Sequence, residues 1–296
     1  MNLISEIAKE IMLKGYKRNA DLNIPSYGWY CQIAHCVYDT PECPKDFRFL
    51  RFEPEKEIAI AVTGGLDSTV LYFRAKKKYK NIRAFYIDIG QEYAQKEMNA
   101  LKKLGIKYEY IKGVDLTKKL KGSRWKHIIP GRNFYFLSLI AEQIKGGTIL
   151  FGCLEGEMPE QGGDKSKEFL ELVNKTFHYF PYEVEVLTPL EKETKTDLVR
   201  WWLKNLPRRK LSYTTTCFSS EKGNCGRCQS CLRKAIAYVN NGLRLKTNTK
   251  IVEGCQEYIN KYIVKMNQAL KEKDFTHYSK KRCLQDLAGI KKLWKK

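Results

Sequence analysis

Long hydrophobic runs are absent from this sequence. No stretch approaches the ~18 consecutive apolar residues that a membrane-spanning helix needs. The first residues also do not show the basic and then apolar layout of a secretory signal peptide. These absences predict a cytosolic protein with no membrane association. Thiols stay reduced in the cytosol, so the ten cysteines are expected to be free thiols and metal ligands rather than a disulfide framework.

Acidic residues are few compared with basic ones. Asp and Glu number 33 against 54 Lys and Arg, which gives a formal net charge of +21. An excess of positive charge attracts polyanions, and nucleic acid binding is one interpretation. Short lysine runs such as 76–78 are, however, typical of solvated helix faces. Charge alone therefore leaves both interpretations open.

Apolar residues make up 43% of the 296 residues, which is enough for a packed core. From residue 57 onward, apolar runs with strand character alternate with segments of helical periodicity. This alternation predicts an α/β fold with a parallel sheet flanked by helices. The predicted strands cover 58–62, 82–87, 107–111, 147–151 and 183–187, and the predicted helices cover 68–79, 91–104, 132–145, 195–205 and 232–239. The sequence Thr194-Lys195-Thr196-Asp197 is predicted to cap the helix that begins at Lys195.

The chain divides into three predicted parts. Residues 1–55 form an N-terminal extension with helix-like and aromatic segments, and residues 56–240 form the α/β domain. Residues 241–296 form a basic C-terminal extension, with helices predicted around 258–270 and 284–294. The expected protein is thus one α/β domain with two extensions.

A glycine turn joins the first predicted strand to the first predicted helix. Its sequence is Thr63-Gly64-Gly65-Leu66-Asp67-Ser68, followed by Thr69. Two glycines allow a tight turn and close approach to a ligand, and the free N–H groups of a helix start favour an anion. The turn is expected at the carboxyl edge of the sheet, where open α/β sheets bind ligands. Such turns are common, so this one alone is compatible with phosphate binding and with a purely structural role.

Four closely spaced cysteines form the clearest metal-binding pattern. Cys217, Cys225, Cys228 and Cys231 are spaced C-x7-C-x2-C-x2-C, and glycines on both sides of Cys225 let the backbone bend around an ion. Four thiolates close one tetrahedral coordination sphere, which favours a structural Zn²⁺ knuckle. An iron–sulfur cluster and unligated thiols are the alternatives.

The remaining cysteines carry no comparable pattern. Those of the N-terminal extension either bind a second metal together with His35 or are buried thiols, and their apolar neighbours favour thiols. The later ones have no base beside them in the sequence, so none is predicted to be a nucleophile. These residues are Cys31, Cys36 and Cys43 in the extension and Cys153, Cys255 and Cys283 further along.

Four segments in one order resemble a known family. They are the glycine turn 63–68, the sequence DIGQE at 88–92, the sequence IPGRNFYFLS at 129–138, and the cysteine cluster, which ends in CGRCQSCLR at 225–233. The glycine turn resembles the SGGxDS signature of the PP-loop ATP pyrophosphatases. The complete set resembles the 7-cyano-7-deazaguanine synthases of queuosine and archaeosine biosynthesis, over roughly residues 57–240.

The resemblance implies a carbon–nitrogen ligase that uses ATP and Mg²⁺. Its other substrates would be 7-carboxy-7-deazaguanine and ammonia, and its product 7-cyano-7-deazaguanine, formed through an adenylated intermediate. Nucleotide binding is then predicted for Thr63, Gly64, Gly65, Leu66, Asp67, Ser68, Thr69 and Gln91, with Asp67 holding Mg²⁺. Catalytic roles are predicted for Asp67, Ser68, Arg132 and Lys195, and substrate contacts for Arg132, Asn133, Glu155, Asp164 and Phe169.

Four of these residues also have structural interpretations. Arg132 is compatible with a helix cap, Lys195 with a solvated surface charge, Gln91 with a helix N-terminal amide and Glu155 with a loop surface charge. Sequence position does not separate these interpretations from the functional ones.

The chain departs from the family in the predicted substrate region. Where the family has an SGYPDCRPEF-like segment, residues 161–169 read QGGDKSKEF, with Lys165 and Ser166 in place of cysteine and arginine. A second hypothesis is therefore transfer of the adenylated deazaguanine carboxylate to a protein or nucleic acid acceptor. A third is a zinc-containing nucleic-acid-binding module without catalysis. The family often forms homodimers, and the residues themselves do not distinguish a monomer from a dimer.

Overall fold

The structure is a computed structural model. It describes residues 57–117, 129, 131–144, 146–155, 157, 163–179, 184–219 and 221–295, together with the backbone of 28–31, 36–38 and 49–52. For the N-terminal cysteines and His35, the two predictions were buried thiols and a second metal site. Their side chains lie outside the described residues. In the described part of the chain, no helix is long and apolar enough to cross a membrane.

Two sheets are described. The first is small and antiparallel, with strand order β2-β1-β3, and it belongs to the N-terminal extension. The second has five parallel strands in the order β6-β5-β4-β7-β8, so the order reverses beside β4. The strands are β1 (Gly28–Cys31), β2 (Cys36–Tyr38), β3 (Phe49–Phe52), β4 (Ile58–Ala61), β5 (Ile82–Asp88), β6 (Glu109–Lys112), β7 (Gly147–Leu150) and β8 (Val184–Leu187).

Helices cover both faces of the parallel sheet. In the described residues they are α1 (Leu66–Lys78), α2 (Ala94–Leu104), α3 (Arg132–Ile144), α4 (Lys167–Phe177), α5 (Lys195–Asn205), α6 (Arg208–Leu211), α7 (Gln229–Asn240), α8 (Ile251–Gly254), α9 (Gln256–Glu272) and α10 (Lys280–Trp294).

Alternation along the strands separates two hydrophobic cores. On β4, Ile58 and Ile60 pack with α1, α2 and α5, whereas Ala59 faces the other side and packs with α3 and α4. On β5, Tyr86 faces the first core and Phe85 the second, as the two-residue period of a strand requires. The central strand is therefore buried on both faces, and its carboxyl end is fixed in position.

A third core joins the cysteine cluster to the C-terminal extension. Helix α10 packs closely on α7, since a Cβ placed on Gly289 would lie 2.7 Å from Ile236. Ile259 and Met266 of α9 complete this core and are fully buried. The C-terminal extension is thus part of the packed structure rather than a separate tail.

The predicted α/β fold is confirmed. All five predicted core strands are present, and the capping box predicted at the start of α5 forms between Thr194 and Asp197. The structure adds elements that the sequence analysis did not identify. These are the N-terminal antiparallel strands and the helices α4, α6 and α8.

Gly64 is the glycine whose replacement should test the fold at the turn. It has φ of +68°, and a Cβ there would lie 2.8 Å from the Cβ of Ala100 in α2. Gly105 offers a matched control, because it has φ of +74° but nothing within 4 Å of its Cβ position. We expect Gly105→Ala to lower the free energy of unfolding by about 1 to 2 kcal/mol through backbone strain alone. Gly64→Ala should cost roughly 1 to 3 kcal/mol more through overpacking.

Urea unfolding followed by circular dichroism measures both variants. Equal losses for Gly64→Ala and Gly105→Ala would show that contact with α2 does not constrain the turn.

Candidate active site

Backbone hydrogen bonds hold the glycine turn from two sides. Val62 donates its N–H to the carbonyl of Phe85 at 2.8 Å, which extends the pairing of β4 with β5. Beyond it, the carbonyl of Gly64 accepts the N–H of Thr215 at 2.8 Å. The turn then enters the 13-residue helix α1, whose N-terminal N–H groups and positive dipole end favour an anion.

Hydroxyl groups line the inside of the turn. Ser68 Oγ accepts the N–H of Thr63 at 3.3 Å, and Thr63 Oγ1 accepts the N–H of Gly65 at 3.3 Å. The two hydroxyl oxygens lie 3.4 Å apart. Leu66, by contrast, sends its side chain into the hydrophobic core, so only its backbone is available to a ligand.

Four buried oxygen atoms at the turn have no hydrogen-bond partner among the described residues. They include one oxygen of Asp67, in the first turn of α1, and hydroxyls of the segment that donates to Gly64. Burying a polar atom without a partner is costly, so such atoms indicate a ligand. Hydroxyls suit phosphate oxygens and a carboxylate oxygen suits Mg²⁺, so the donor set fits a magnesium nucleotide. The atoms are Asp67 Oδ1, Thr69 Oγ1, Thr215 Oγ1 and Thr216 Oγ1.

Lys195 pairs with the other oxygen of Asp67. Its ammonium group donates to Asp67 Oδ2. Its side chain is only 11% exposed, so Lys195 is not the solvated surface charge of the alternative interpretation. The capping box at Thr194 and Asp197 fixes the first turn of α5 and hence the direction of Lys195. The structure therefore brings together two of the predicted catalytic residues from opposite ends of the α/β domain.

Gln91 is held in a network behind the turn. Its side-chain oxygen accepts the N–H of Ile89 at 2.8 Å, and its amide nitrogen donates to the hydroxyl of Tyr86 at 2.9 Å. Tyr86 donates in turn to Glu97, whose backbone carbonyl lies against Gly64. Gln91 thus supports the surroundings of the turn, and its predicted contact with the nucleotide stays a prediction.

Arg132 lies at the start of α3 and faces the same network. Burial raises the pKa of Glu97 to about 7, and the nearby guanidinium of Arg132 opposes that rise. Burial also raises the pKa of Tyr93, and the same guanidinium partly opposes that rise. Among the described atoms, Arg132 Nε is buried and has no hydrogen-bond partner. It remains available for a phosphate or carboxylate oxygen.

Asn133 and Asp164 meet across the sheet edge. The N–H of Asn133 donates to Asp164 Oδ2 at 3.3 Å, and its side-chain amide donates to the carbonyl of Asp164 at 3.1 Å. Asp164 also raises the pKa of the buried Cys153, as does Asp67 of the glycine turn. Phe169 is partly buried against the core beneath α4. These predicted substrate residues lie together, while their predicted substrate contacts stay untested.

Glu155 contacts the C-terminal extension. Its Oε1 accepts the N–H of Ser279, the N-cap of α10, at 2.8 Å. Its backbone carbonyl accepts a guanidinium N–H of Arg282 at 3.1 Å. Oε2 is buried and finds no partner in the part of the chain that the structure describes. One oxygen of Glu155 is thus structural, and the second remains available for the predicted substrate contact.

The structure also reveals an ion cluster that the sequence analysis did not identify. Glu157 lies 2.6 Å from Arg233 and 3.0 Å from Lys165. Burial alone would raise the pKa of Glu157, but Arg233, Lys165 and Lys195 hold it well below the usual range. No local pattern links these positions, because they lie on separate loops and helices. Arg233 follows the last cysteine of the cluster, which is the only sequence signal near it.

Lys234 connects the cysteine cluster to the glycine turn. It is fully buried in the middle of α7, and its ammonium group donates to the carbonyl of Thr214. Burial lowers the pKa of Lys234 to about 7. The next residue, Thr215, makes the backbone bond to Gly64. Lys234 therefore holds residues 214–215 in position, and these residues support the turn.

The four predicted metal-ligating cysteines converge. Their sulfur atoms all lie within 4.8 Å of one another, and Cys225 Sγ and Cys231 Sγ are 3.9 Å apart. Sulfurs that share one tetrahedral zinc ion would be about 3.8 Å apart, given Zn–S bonds of ~2.3 Å. Backbone N–H groups of Cys225, Arg227 and Cys231 donate to cluster sulfurs at 3.3 to 3.4 Å. The cluster therefore fits a single metal ion.

The other described cysteines are buried thiols. Burial raises the pKa of Cys153 and of Cys255 to about 12 and also raises that of Cys283. A thiol with such a pKa is protonated at neutral pH, and the thiolate is the nucleophile. Burial thus opposes formation of the nucleophilic thiolate at all three positions, and the absence of a nucleophile among them stays a prediction.

Sequence comparison finds relatives that are named as 7-cyano-7-deazaguanine synthases. One 7-cyano-7-deazaguanine synthase from Campylobacter jejuni is 28% identical over 229 residues, which cover 66% of this chain and 99% of that protein. Another from Pyrococcus horikoshii is 28% identical over 223 residues, covering 60% and 91%. A predicted subunit of tRNA methyltransferase from Methanocaldococcus jannaschii superimposes with a TM-score of 0.37 and 15% identity, covering 50% and 76%.

The family assignment rests on the sequence model of the queuosine biosynthesis protein QueC. That model matches residues 57–124 and 111–242, which together make up more than half of the chain. The matched region begins just before β4 and ends just after α7, so it contains the glycine turn and the cysteine cluster but not the C-terminal extension. The chain belongs to the QueC family.

Proposed function

We propose that this protein converts 7-carboxy-7-deazaguanine and ammonia to 7-cyano-7-deazaguanine, with two molecules of ATP cleaved to AMP. The observation that carries the proposal is the set of partnerless buried oxygens at the glycine turn, at Asp67, Thr69, Thr215 and Thr216. They surround a helix start that favours phosphate. The relatives named as 7-cyano-7-deazaguanine synthases support the choice of substrate.

The turn would hold the β- and γ-phosphates of ATP. Backbone N–H groups of residues 64–68 and the hydroxyls of Thr63, Ser68 and Thr69 are the donors. Asp67 Oδ1 would hold Mg²⁺, which neutralises charge on the departing pyrophosphate. Lys195, bound to the other oxygen of Asp67, supplies a positive charge beside the same phosphates.

In the first half-reaction the substrate carboxylate is adenylated. A carboxylate oxygen attacks the α-phosphorus, the bond from that phosphorus to the bridging oxygen breaks, and pyrophosphate leaves. Ammonia then attacks the carboxyl carbon of the acyl-adenylate, loses a proton and expels AMP, which leaves the amide. Arg132, with its buried and unbonded Nε, is placed to stabilise negative charge on the attacking or leaving oxygens.

In the second half-reaction the amide is dehydrated. The amide oxygen attacks the α-phosphorus of a second ATP, and pyrophosphate leaves again. Loss of two protons from nitrogen and departure of AMP with the former amide oxygen give the nitrile. The former amide oxygen thus leaves bonded to the phosphorus of AMP, so no free water is released during dehydration.

The deazaguanine ring would bind beside α4. Asp164 and Glu155 supply carboxylate oxygens for the ring N–H groups, and Asn133 orients Asp164 through two hydrogen bonds. Phe169 would offer an aromatic face. Glu155 has one oxygen left for this contact, because Ser279 uses the other.

The alternative acceptor is a macromolecule. Lys165 and Ser166 replace the cysteine and arginine of the family segment, and this difference favours transfer of the adenylated carboxylate to a protein or nucleic acid. A homodimer and a cytosolic location remain predictions from the sequence.

Turnover of 7-carboxy-7-deazaguanine with ATP, Mg²⁺ and ammonia, followed by mass spectrometry, tests the two hypotheses. We expect free 7-cyano-7-deazaguanine together with two AMP per nitrile, as the two half-reactions require. A second reaction without ammonia but with total cell protein or RNA provides the comparison. AMP release without free nitrile, with a mass increase on a macromolecule, would replace the proposed reaction by the alternative.

Asp67→Ala should abolish AMP formation. The change removes both the oxygen proposed for Mg²⁺ and the partner of Lys195. Loss of one group that stabilises developing charge costs ~2.7 to 4 kcal/mol in comparable sites, or about 100- to 1,000-fold in kcat. Asp67→Ala disturbs both Mg²⁺ and Lys195, so its loss should be at least that large. Asp274→Ala is the control, since Asp274 lies on an exposed turn of the C-terminal extension. AMP formation by Asp67→Ala at the wild-type rate, with a normal circular dichroism spectrum, would contradict the assignment of the turn.

Metal analysis of the purified protein should find about one zinc ion per chain. Four sulfurs within 4.8 Å suit one ion that contacts them all. Cys228→Ser should lower the zinc content and destabilise the fold, because this core also anchors α7 and α9. Cys283→Ser, outside the cluster, should keep the full zinc content. Iron with a brown colour would identify an iron–sulfur cluster instead.

A further inference from the structure

The ion cluster of Glu157, Lys165 and Arg233 contains more positive than negative charge. Glu157 is the shared partner of both cations, at 3.0 Å from Lys165 and 2.6 Å from Arg233. Two cations with one carboxylate between them have only half of their charge neutralised. Buried charges without full compensation are costly, so this arrangement suits a second anion.

The side chains of the two cations are partly exposed. The side chain of Glu157 is 12% exposed, whereas those of Lys165 and Arg233 are 30% and 20% exposed. The carboxylate therefore lies deeper than the two cations it joins. An anion that enters from solvent meets Lys165 and Arg233 before it meets Glu157.

All three groups are charged at neutral pH. Burial opposes ionisation of Lys165, but Glu157 and other anions nearby raise its pKa above the usual value. The guanidinium of Arg233 is always protonated in proteins, and it lies 2.6 Å from the carboxylate of Glu157. Lys165 and Arg233 are thus two positively charged hydrogen-bond donors for an incoming carboxylate.

The cluster lies beside the glycine turn. Gly152, five positions before Glu157, lies against the turn, since a Cβ placed on it would be 4.0 Å from the backbone nitrogen of Ser68. Asp67 of the turn also adds to the raised pKa of Lys165, and Lys195 adds to the lowered pKa of Glu157. Charges influence one another in this way over distances of up to about 10 Å. A group bound by Lys165 and Arg233 would therefore lie within reach of a nucleotide whose phosphates occupy the turn.

We propose that Lys165 and Arg233 form the subsite that binds the carboxylate of the acid before its adenylation, with Glu157 holding the two cations in position. This inference rests on the proposed function and adds its acid-binding residues. Guanidinium groups bind carboxylates bidentately and an ammonium adds a point charge, so the pair both orients and attracts the acid. Lys165 stands where the resembling family has cysteine, so the lysine of this subsite is a feature of this chain, whereas Arg233 belongs to the segment that resembles the family.

The two half-reactions provide an internal test. The acid carries a negative charge, whereas the amide intermediate is neutral, and both are adenylated by ATP at the same turn. AMP formation is measured with 7-carboxy-7-deazaguanine and, separately, with the corresponding 7-carboxamide, at varied concentration of each compound and of ATP. The variants are Lys165→Gln, Lys165→Arg and Arg233→Gln.

Lys165→Gln should raise KM for the acid by about 10- to 100-fold, the usual loss for one charge-assisted hydrogen bond. KM for the amide and KM for ATP should stay at the wild-type values. Lys165→Arg keeps the charge and should restore binding of the acid. The matched control is Lys167→Gln, because Lys167 is exposed on the first turn of α4.

Arg233→Gln should show the same selective loss for the acid. Arg233 also anchors Glu157 beside the cysteine cluster, so its zinc content and thermal midpoint are measured in parallel, with Arg209→Gln on the exposed face of α6 as control. If Arg233→Gln does not fold, the test rests on the more exposed Lys165.

Three results would overturn the subsite. They are an unchanged KM for the acid in Lys165→Gln, an equal loss for acid and amide, and a raised KM for ATP, which would assign the cations to phosphate. Failure of the proposed function is distinguishable, because wild-type protein would then form no AMP with either compound. That outcome would also overturn the subsite.

Discussion

The left-handed turn at Gly64 is the constraint on which the site depends. A side chain at this position would collide with α2, and the carbonyl of Gly64 is bound by Thr215 from the segment before the cysteine cluster. The turn is thereby fixed to three elements at once, namely β4, α2 and the residues that lead to α7. Metal binding by the cysteines would stabilise that last element, so a metal remote from the chemistry would also preserve the shape of the turn.

Charge around the turn is arranged in pairs that join distant parts of the chain. Lys195 and Asp67 are 128 positions apart, and Glu157 and Arg233 connect the loop after β7 with α7. Breaking such a pair leaves a buried charge without a partner, which costs far more than the loss of a surface ion pair. The pairs therefore hold the loops of the α/β domain at fixed distances, while the partnerless oxygen of Asp67 remains open to a ligand.

Local sequence patterns predicted those parts of the structure that depend on interactions between residues close together in the chain. The core strands, the cap of α5 and the convergence of the four cysteines follow from periodicity, capping residues and ligand spacing, and the structure contains them. The role of Glu157 could not be predicted in this way, since its partners become neighbours only after the sheet forms. Helix α4 was missed although Ser166 caps it, because the glycines and charges before it are typical of a loop.

The C-terminal extension adds a constraint that the family region alone does not provide. Ser279 at the start of α10 binds one oxygen of Glu155, and Arg282 binds the carbonyl of the same residue. Gln285 and Lys281 of that helix also contact the capping box of α5, which orients Lys195. One helix thus touches both the loop with the predicted substrate carboxylate and the helix with the predicted catalytic lysine. Packing of α10 on α7 then links these two contacts to the cysteine cluster, so the extension and the cluster stabilise the same geometry through one shared core.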